Sequence, residues 1–356
     1  MKKLYLLLLV LFTGLSAFAQ KTIQSKIKDL TTGEPVEMAT ISAEGTTIST
    51  VSNAEGSFRI TVPDNVSTLS ISHLNYKPFS VSIAEASGEI NLEPSVITLE
   101  EVVVSNVPVD GLLRGAVKAS KKKLEKSLLL NTYYREFVKI NGKYTRFSDG
   151  LVDFYVKRKS GAADVYVQQS RALKLVKKGD KAILTHNKDS ISAEDEKSLE
   201  NVNLYSLDDA ISGGYNFKII EKILGNSKDY NFILKTRQDK SGRDLQIVAI
   251  SPKPGSKGLY SGSVTYDTKT MLILESSYAI DPLYKQNTVD VKFFGFHVVL
   301  TANEKKTIFT NDNDKYIIKY NKGRLGMHME FRDKIDDEME FLSDVVVNNY
   351  KETEET

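Results

Sequence analysis

The sequence predicts a mainly β protein in two parts: a sandwich of short strands, then a larger antiparallel sheet with a few helices. Three observations predict it. Phe58, Ile60 and Val62 alternate with Arg59 and Thr61, the two-residue period of a half-buried strand. Turn residues punctuate the first part of the chain at short intervals, at Gly33-Glu34-Pro35, Gly45-Thr46, Asn53-Ala54-Glu55-Gly56 and Pro63-Asp64-Asn65. Beyond position 215, strand-like runs recur about every ten residues, as in an antiparallel meander.

Lys2 and Lys3 precede an apolar run at 4–12, and Ala17-Phe18-Ala19 follows with small-x-small spacing. This is the layout of a secretory signal, with Gln20 as the expected mature N-terminus. The alternative is a membrane helix that stays in place, but the run is short of the roughly 20 residues needed to cross a bilayer. No Cys follows it, so a lipobox anchor is excluded. No later stretch has the length and apolarity of a transmembrane helix. The 48 basic and 46 acidic residues become balanced once Lys2 and Lys3 are removed, which argues against a nucleic-acid partner. The chain has no cysteine. Stability must therefore come from cores rather than disulfides, and a Cys nucleophile, a thiolate zinc site and an iron–sulfur cluster are excluded.

Seven short strands account for the first part. Residues 22–29 carry Ile23 and Ile27, 39–43 form a second strand, and 47–52 a third after Gly45. The turn at 53–56 leads into 58–62, which ends at Pro63 because proline cannot donate to a ladder. Residues 68–72 place Leu69 and Ile71 on one face; 78–83 follow the Asn75-Tyr76-Lys77 bend, and 89–92 close the set. About seven strands suffice for a sandwich.

These residues resemble the carboxypeptidase-regulatory-like domain, a transthyretin-like β-sandwich. Its pattern runs G-x-V-x-D, T-G-E-P-L-x-x-A-x-V, G-T, T-D-x-x-G-x-F and a G-Y bend. Asp29, Thr32-Gly33-Glu34-Pro35, Ala39, Gly45-Thr46, Gly56 and Phe58 match it. Ser25 or Lys26 stands where the first Gly is usual, Asn53 replaces the turn Asp, and Asn75 replaces the Gly before Tyr76. Asn accepts left-handed backbone better than most residues, so the turns are expected to survive. The resemblance implies a fold rather than an activity. Such domains stand beside peptidases, and in front of TonB-dependent transporters and other envelope proteins of Bacteroidota type. In the transporters an L-x-E-V-V-V segment follows the sandwich, as Leu99, Glu101, Val102, Val103 and Val104 do here. It reads either as a partner contact or as a last strand or extended linker. A transporter barrel needs far more chain than remains.

Asp110 is expected to cap a helix to about residue 126, with Leu112, Ala116, Val117 and Leu124 on one face and Lys121, Lys122 and Lys123 solvated. From 131 onward the pattern turns to β. Residues 133–140, Asn141-Gly142 and 143–147 make a hairpin, continued by 151–157 and 164–170. Helices are expected at 192–199 and from 206. Strands are expected at 215–224, 230–237, 245–250, 259–266, 271–280, 289–300, 305–310, 315–320 and 326–331. Tyr133-Tyr134-Arg135-Glu136 with Asp149-Gly150-Leu151-Val152-Asp153 resembles a Y-R-E … E-A-x-x-D segment of similar envelope proteins. Ile250-Ser251-Pro252-Lys253 with Tyr260-Ser261-Gly262-Ser263-Val264 and Asp267 is similar to a pattern in the curved sheet of lipoprotein-localisation factors. The fold class is thus a seven-stranded transthyretin-like β-sandwich plus a larger antiparallel curved β-sheet domain with a few helices. The expected divisions are a signal peptide at 1–19, the carboxypeptidase-regulatory-like sandwich at 20–95, a linker and helix at 96–130, the sheet domain at 131–350 and a disordered tail at 351–356.

Catalytic signatures fail one by one. A zinc carboxypeptidase needs an H-x-x-E pair; His73, His297 and His328 lack it, and His186-Asn187-Lys188-Asp189 has a carboxylate at the right offset but no evident partner. No H-E-x-x-H, G-x-S-x-G elbow or phosphate loop occurs; Gly255-Ser256-Lys257-Gly258 reads as a turn between strands. Carboxylate pairs such as Glu194 with Asp195, or Asp336 with Asp337, read as charged surface. No catalytic residue, metal site or cofactor is assigned.

The functional expectation is a non-enzymatic exported cell-envelope protein, periplasmic or associated with the outer membrane, with a binding or scaffold role. Two alternatives stay open: an accessory component that contacts a TonB-dependent transport complex through Leu99, Val102, Val103 and Val104, and a hydrolase with an unrecognised site. A lipid or acyl chain is the candidate ligand, in a pocket between the sheet and the helices covering it. Phe217, Phe232, Phe294 and Phe296, with Ile219, Leu234, Val264, Leu272 and Leu274, are its expected lining at alternating strand positions. The alternative is that these side chains form an ordinary core.

Overall fold

In the computed structural model the described residues are 20–94 except 47, 54 and 74–75; 101–102; 108–174; and 207–353 except 240–241, 294–295, 313–314 and 332–334. The signal-like segment and the 192–199 helix expectation lie outside them. The chain divides into two compact units, Met1–Ser95 and Val96–Thr356.

The first unit holds β1 (Gln20–Asp29), β2 (Thr40–Ala43), β3 (Ser49–Val51), β4 (Ser57–Pro63), β5 (Thr68–His73), β6 (Tyr76–Ser82) and β7 (Gly88–Leu92). They form two sheets, ordered β4-β1-β7 and β3-β2-β5-β6. β4 alternates exposed and buried along its length, so Phe58, Ile60 and Val62 point inward. They join Ile23, Ile27, Ile41, Leu69, Ile71 and Leu92 in one core. The family-like turns have physical roles. Asp29 accepts the backbone N–H groups of Thr31 and Thr32 at 2.7 and 2.8 Å, and the Tyr76 hydroxyl at 2.8 Å. Asn53 serves in place of Asp by accepting the N–H groups of Glu55 and Ser57 through Oδ1, rather than by adopting left-handed backbone. That conformation falls to Gly56, at φ +74°, where a Cβ would lie 2.2 Å from the Ile27 carbonyl oxygen.

The second unit holds β8 (Glu101–Val102), α1 (Val109–Lys123), β9 (Ser127–Ile140), β10 (Lys143–Val156), β11 (Ala163–Lys174), α2 (Asp209–Asn216), α3 (Lys218–Gly225), β12 (Tyr230–Gln238), β13 (Asp244–Pro252), β14 (Tyr260–Asp267), β15 (Ile273–Ile280), β16 (Asp290–Phe293), β17 (Phe296–Asp312), β18 (Lys315–Phe331) and β19 (Ile335–Thr353). One antiparallel sheet runs β11-β10-β9-β19-β18-β17-β15-β14-β13-β12-β8, with β16 paired to β17. The three helices share a core with the sheet. Leu113, Ala116 and Val117 of α1, Ile211 and Tyr215 of α2, and Ile220 and Ile223 of α3 are buried with Val248, Val264, Phe309 and Ile318. Polar ties fix the helices in register. Ser120 accepts the Ile273 N–H at 2.9 Å, the Tyr215 hydroxyl accepts the Ile318 N–H at 2.9 Å, and buried Lys305 donates to the Asp209 carbonyl oxygen at 2.5 Å.

Several expectations are corrected here. Residues 215–224 are helical, not a strand. Phe217 sits between α2 and α3 in the left-handed region at φ 50°, and Ile220, Ile223 and Leu224 point inward at helical spacing. Asp110 does not cap α1; it lies in the first turn, 3.8 Å from Arg114, and Pro108 is the cap residue. The 289–300 run is a hairpin of β16 and β17. The runs 305–310, 315–320 and 326–331 fall within two long strands, β17 and β18. Residues 321–325, left between the expected strands 315–320 and 326–331, stay extended because β17 and β19 pair with them on both sides. Among them, Arg324 finds Glu304 and Glu340 across the strands. Strand β9 starts at Ser127, ahead of the expected 131. The tail expected to be disordered from 351 is strand to Thr353, because Lys351, Glu352 and Thr353 pair with Leu129, Leu128 and Ser127.

Candidate functional site

The expected pocket residues that the structure describes lie in the interior or at its margin. Phe217 is 2% exposed, and its ring lies 5.5 Å from that of Phe309, which stacks at 5.0 Å on Tyr316. Leu234, Val264 and Leu272 are buried in the same core, with Ile219 and Phe232 packed at its margin; Leu274 is buried as well. Phe294 and the side chain of Phe296 lie outside the described residues. So do Leu99, Val103 and Val104. The backbone of Val102 pairs with Lys235 of β12, and that of Glu101 with Thr236. The described part of the L-x-E-V-V-V segment is therefore an edge strand of the second unit's sheet.

A different constellation emerges from strand register. Strands β16, β17, β18 and β19 set Asp290, His297, His328, Glu330, Asp336 and Glu338 close together. The pairings His297 with Glu330, His328 with Glu338, and Glu330 with Asp336 put these side chains on one face of the sheet, since alternate residues of a strand share a face. His297 Nδ1 lies 2.8 Å from Glu330 Oε2, and its Nε2 lies 2.9 Å from Asp290 Oδ1. Held between two carboxylates, Glu330 first and Asp290 second, the His297 imidazole has its pKa raised; Glu330 is lowered in turn, by His297 and then His328. His328 Nε2 lies 3.3 Å from Glu330 Oε1 and 3.2 Å from Asp336 Oδ1, and its Nδ1 lies 3.4 Å from Glu338 Oε2. The other Glu338 oxygen accepts the Thr301 hydroxyl at 2.6 Å.

Reading along the chain misses this group. No two of its members form a linear metal motif, because the ligand spacing is set across strands. The local signals are His328-Met329-Glu330 and Asp336-Asp337-Glu338, i, i+2 pairs that share a face in a strand but not in a helix.

Residues 23–104 match the model of the CarboxypepD_reg-like domain, and the first unit carries this domain, a regulatory, non-catalytic β-sandwich. The chain is also 34% identical over 104 residues to the TonB-dependent receptor SusC of Bacteroides thetaiotaomicron, which covers 29% of this chain and 10% of the receptor. The chain thus spans about a tenth of the length of that curated relative. Both findings support a cell-envelope protein of Bacteroidota type. Among solved structures, the MucA/MucB complex of Pseudomonas aeruginosa covers 70% of this chain and 99% of its own, at 11% identity and a TM-score of 0.22. MucB alone aligns over 69% of this chain and 98% of its own, at 10% identity and the same TM-score of 0.22. No helix among the described residues is long and apolar enough to cross a membrane.

Proposed function

We infer that this chain is a non-enzymatic binding or scaffold protein of the cell envelope, exported through its 1–19 segment and working beside a TonB-dependent transport system. The observation that carries this reading is the CarboxypepD_reg-like module at 23–104 together with its likeness to part of a TonB-dependent receptor. A module of this kind supplies a folded platform with no catalytic group of its own. The pairing of Val102 with Lys235 favours an internal, structural use of the 99–104 segment over contact with a partner. The stacking of Phe217 on Phe309 favours a core over an acyl-chain pocket. Mild crosslinking in the native envelope, followed by purification and mass spectrometry, tests the reading. An outer-membrane transporter enriched with the chain, and a mature N-terminus at Gln20, are the expected results. A chain retained intact from Met1 in the cytoplasm, or recovered from the envelope with no transport component, overturns it.

A further inference from the structure

The geometry points to a divalent transition-metal site of the zinc class on the polar face of the β18–β19 hairpin, with His328 Nε2, Glu330 Oε1 and Asp336 Oδ1 as ligands. We propose that Glu338 orients the imidazole and that the cation pins the two strands together.

Three acceptor atoms converge there, all within 4.8 Å of one another. In the tautomer with its proton on Nδ1, facing Glu338 at 3.4 Å, His328 presents the Nε2 lone pair to two carboxylate oxygens. In that tautomer a cation between the three atoms relieves the meeting of lone pairs. The spacing suits one. In a tetrahedral site with bonds of about 2.0–2.1 Å, ligand atoms stand about 3.3 Å apart; the two edges from Nε2 measure 3.3 and 3.2 Å. The third edge closes by rotation of Asp336, whose side chain is 79% exposed. Glu330 is already steadied, because its second oxygen is held by His297. A carboxylate on the far nitrogen of a ligating imidazole is the usual outer partner at such sites; it fixes the tautomer and raises ligand basicity. Glu338 has that position and is itself held by Thr301.

The donor set selects the ion. One imidazole with two carboxylates suits zinc, cobalt or nickel. Calcium takes six to eight oxygens, and magnesium prefers an octahedron of oxygen and water. Copper(I) favours thiolate and thioether sulfur, and none of the three proposed ligand atoms is sulfur. Three protein ligands leave a fourth position open to water or to a donor group of a partner.

The test uses the full mature chain without an affinity tag. Isothermal titration with Zn²⁺ in a non-chelating buffer is expected to give one equivalent per chain, with no competition from excess Ca²⁺ or Mg²⁺. His328→Ala combined with Asp336→Asn should abolish this heat. Glu338→Gln should weaken binding by about 10- to 100-fold, as loss of an outer partner does. The substituted side chains are partly or largely exposed, so circular dichroism should be unchanged; a Zn²⁺-dependent rise in melting temperature seen only in the parent chain is an independent readout. Absence of stoichiometric heat, survival of the site in the double variant, or preference for Ca²⁺ over Zn²⁺ overturns the proposal.

Discussion

Asp29 shows how much one polar side chain can organise. It closes the turn after β1 by taking two backbone N–H groups on one oxygen and the Tyr76 hydroxyl on the other. The Thr32 N–H first, then Tyr76, hold its carboxyl below the ordinary range. Burial, and then Asp29 itself, push the Tyr76 hydroxyl up to about 12. The sign of the pH effect follows. A depressed folded-state pKa contributes stability that is complete above the unfolded value and is lost as pH falls through the folded value. In Asp29→Asn, the first unit should lose less stability than the parent as the pH drops from about 5 towards 2. Urea unfolding at a series of pH values checks this; an acid limb unchanged by the substitution would refute it. The position was legible in the sequence as a family match, but its work was not, because Tyr76 reaches it from another sheet.

Among the elements, α3 shows where the sequence divides against itself. Tyr215, Phe217 and Ile219 alternate as a strand would, while Ile220, Ile223 and Leu224 repeat as a helix does. The helical reading wins because Ile220, Ile223 and Leu224 bury one helix face, although Phe217 must take a left-handed backbone costing roughly 1–2 kcal/mol for a side chain with a Cβ. Burial against Phe309 offsets that cost. Phe309→Ala removes the middle ring of the Phe217–Phe309–Tyr316 stack and should destabilise the second unit by about 3–5 kcal/mol. Denaturant melts monitored by tyrosine fluorescence measure it; a loss below about 1 kcal/mol would indicate that the site was a loose pocket rather than a core. The short strands of the sandwich were legible because each carries its own alternation and turn. The long strands β17, β18 and β19 were not, because polar residues such as Lys322 and Arg324 meet partners only once three strands are aligned. The His328 cluster was hidden for the same reason.

At the scale of the whole molecule, the two units hold separate cores, one built around Ile27 and Leu69 and the other around Val264 and Ile318. Calorimetry should therefore resolve two transitions. Gly56→Ala places a Cβ against the Ile27 carbonyl oxygen in left-handed backbone, so it should lower the first unit's transition, by about 2–3 kcal/mol or more, and leave the other in place. A single transition that moves as one would refute this independence. The sheet order also has a consequence in time. β9 lies between β10 and β19, and Arg135 pairs with Asp344. A chain synthesised from its N-terminus delivers β9, β10 and β11 long before β19 arrives. Until then β9 offers an open row of hydrogen-bonding groups, the kind of edge on which chains aggregate. Such long-range closure makes folding slow, so the half-sheet stays open to wrong pairing until β19 arrives.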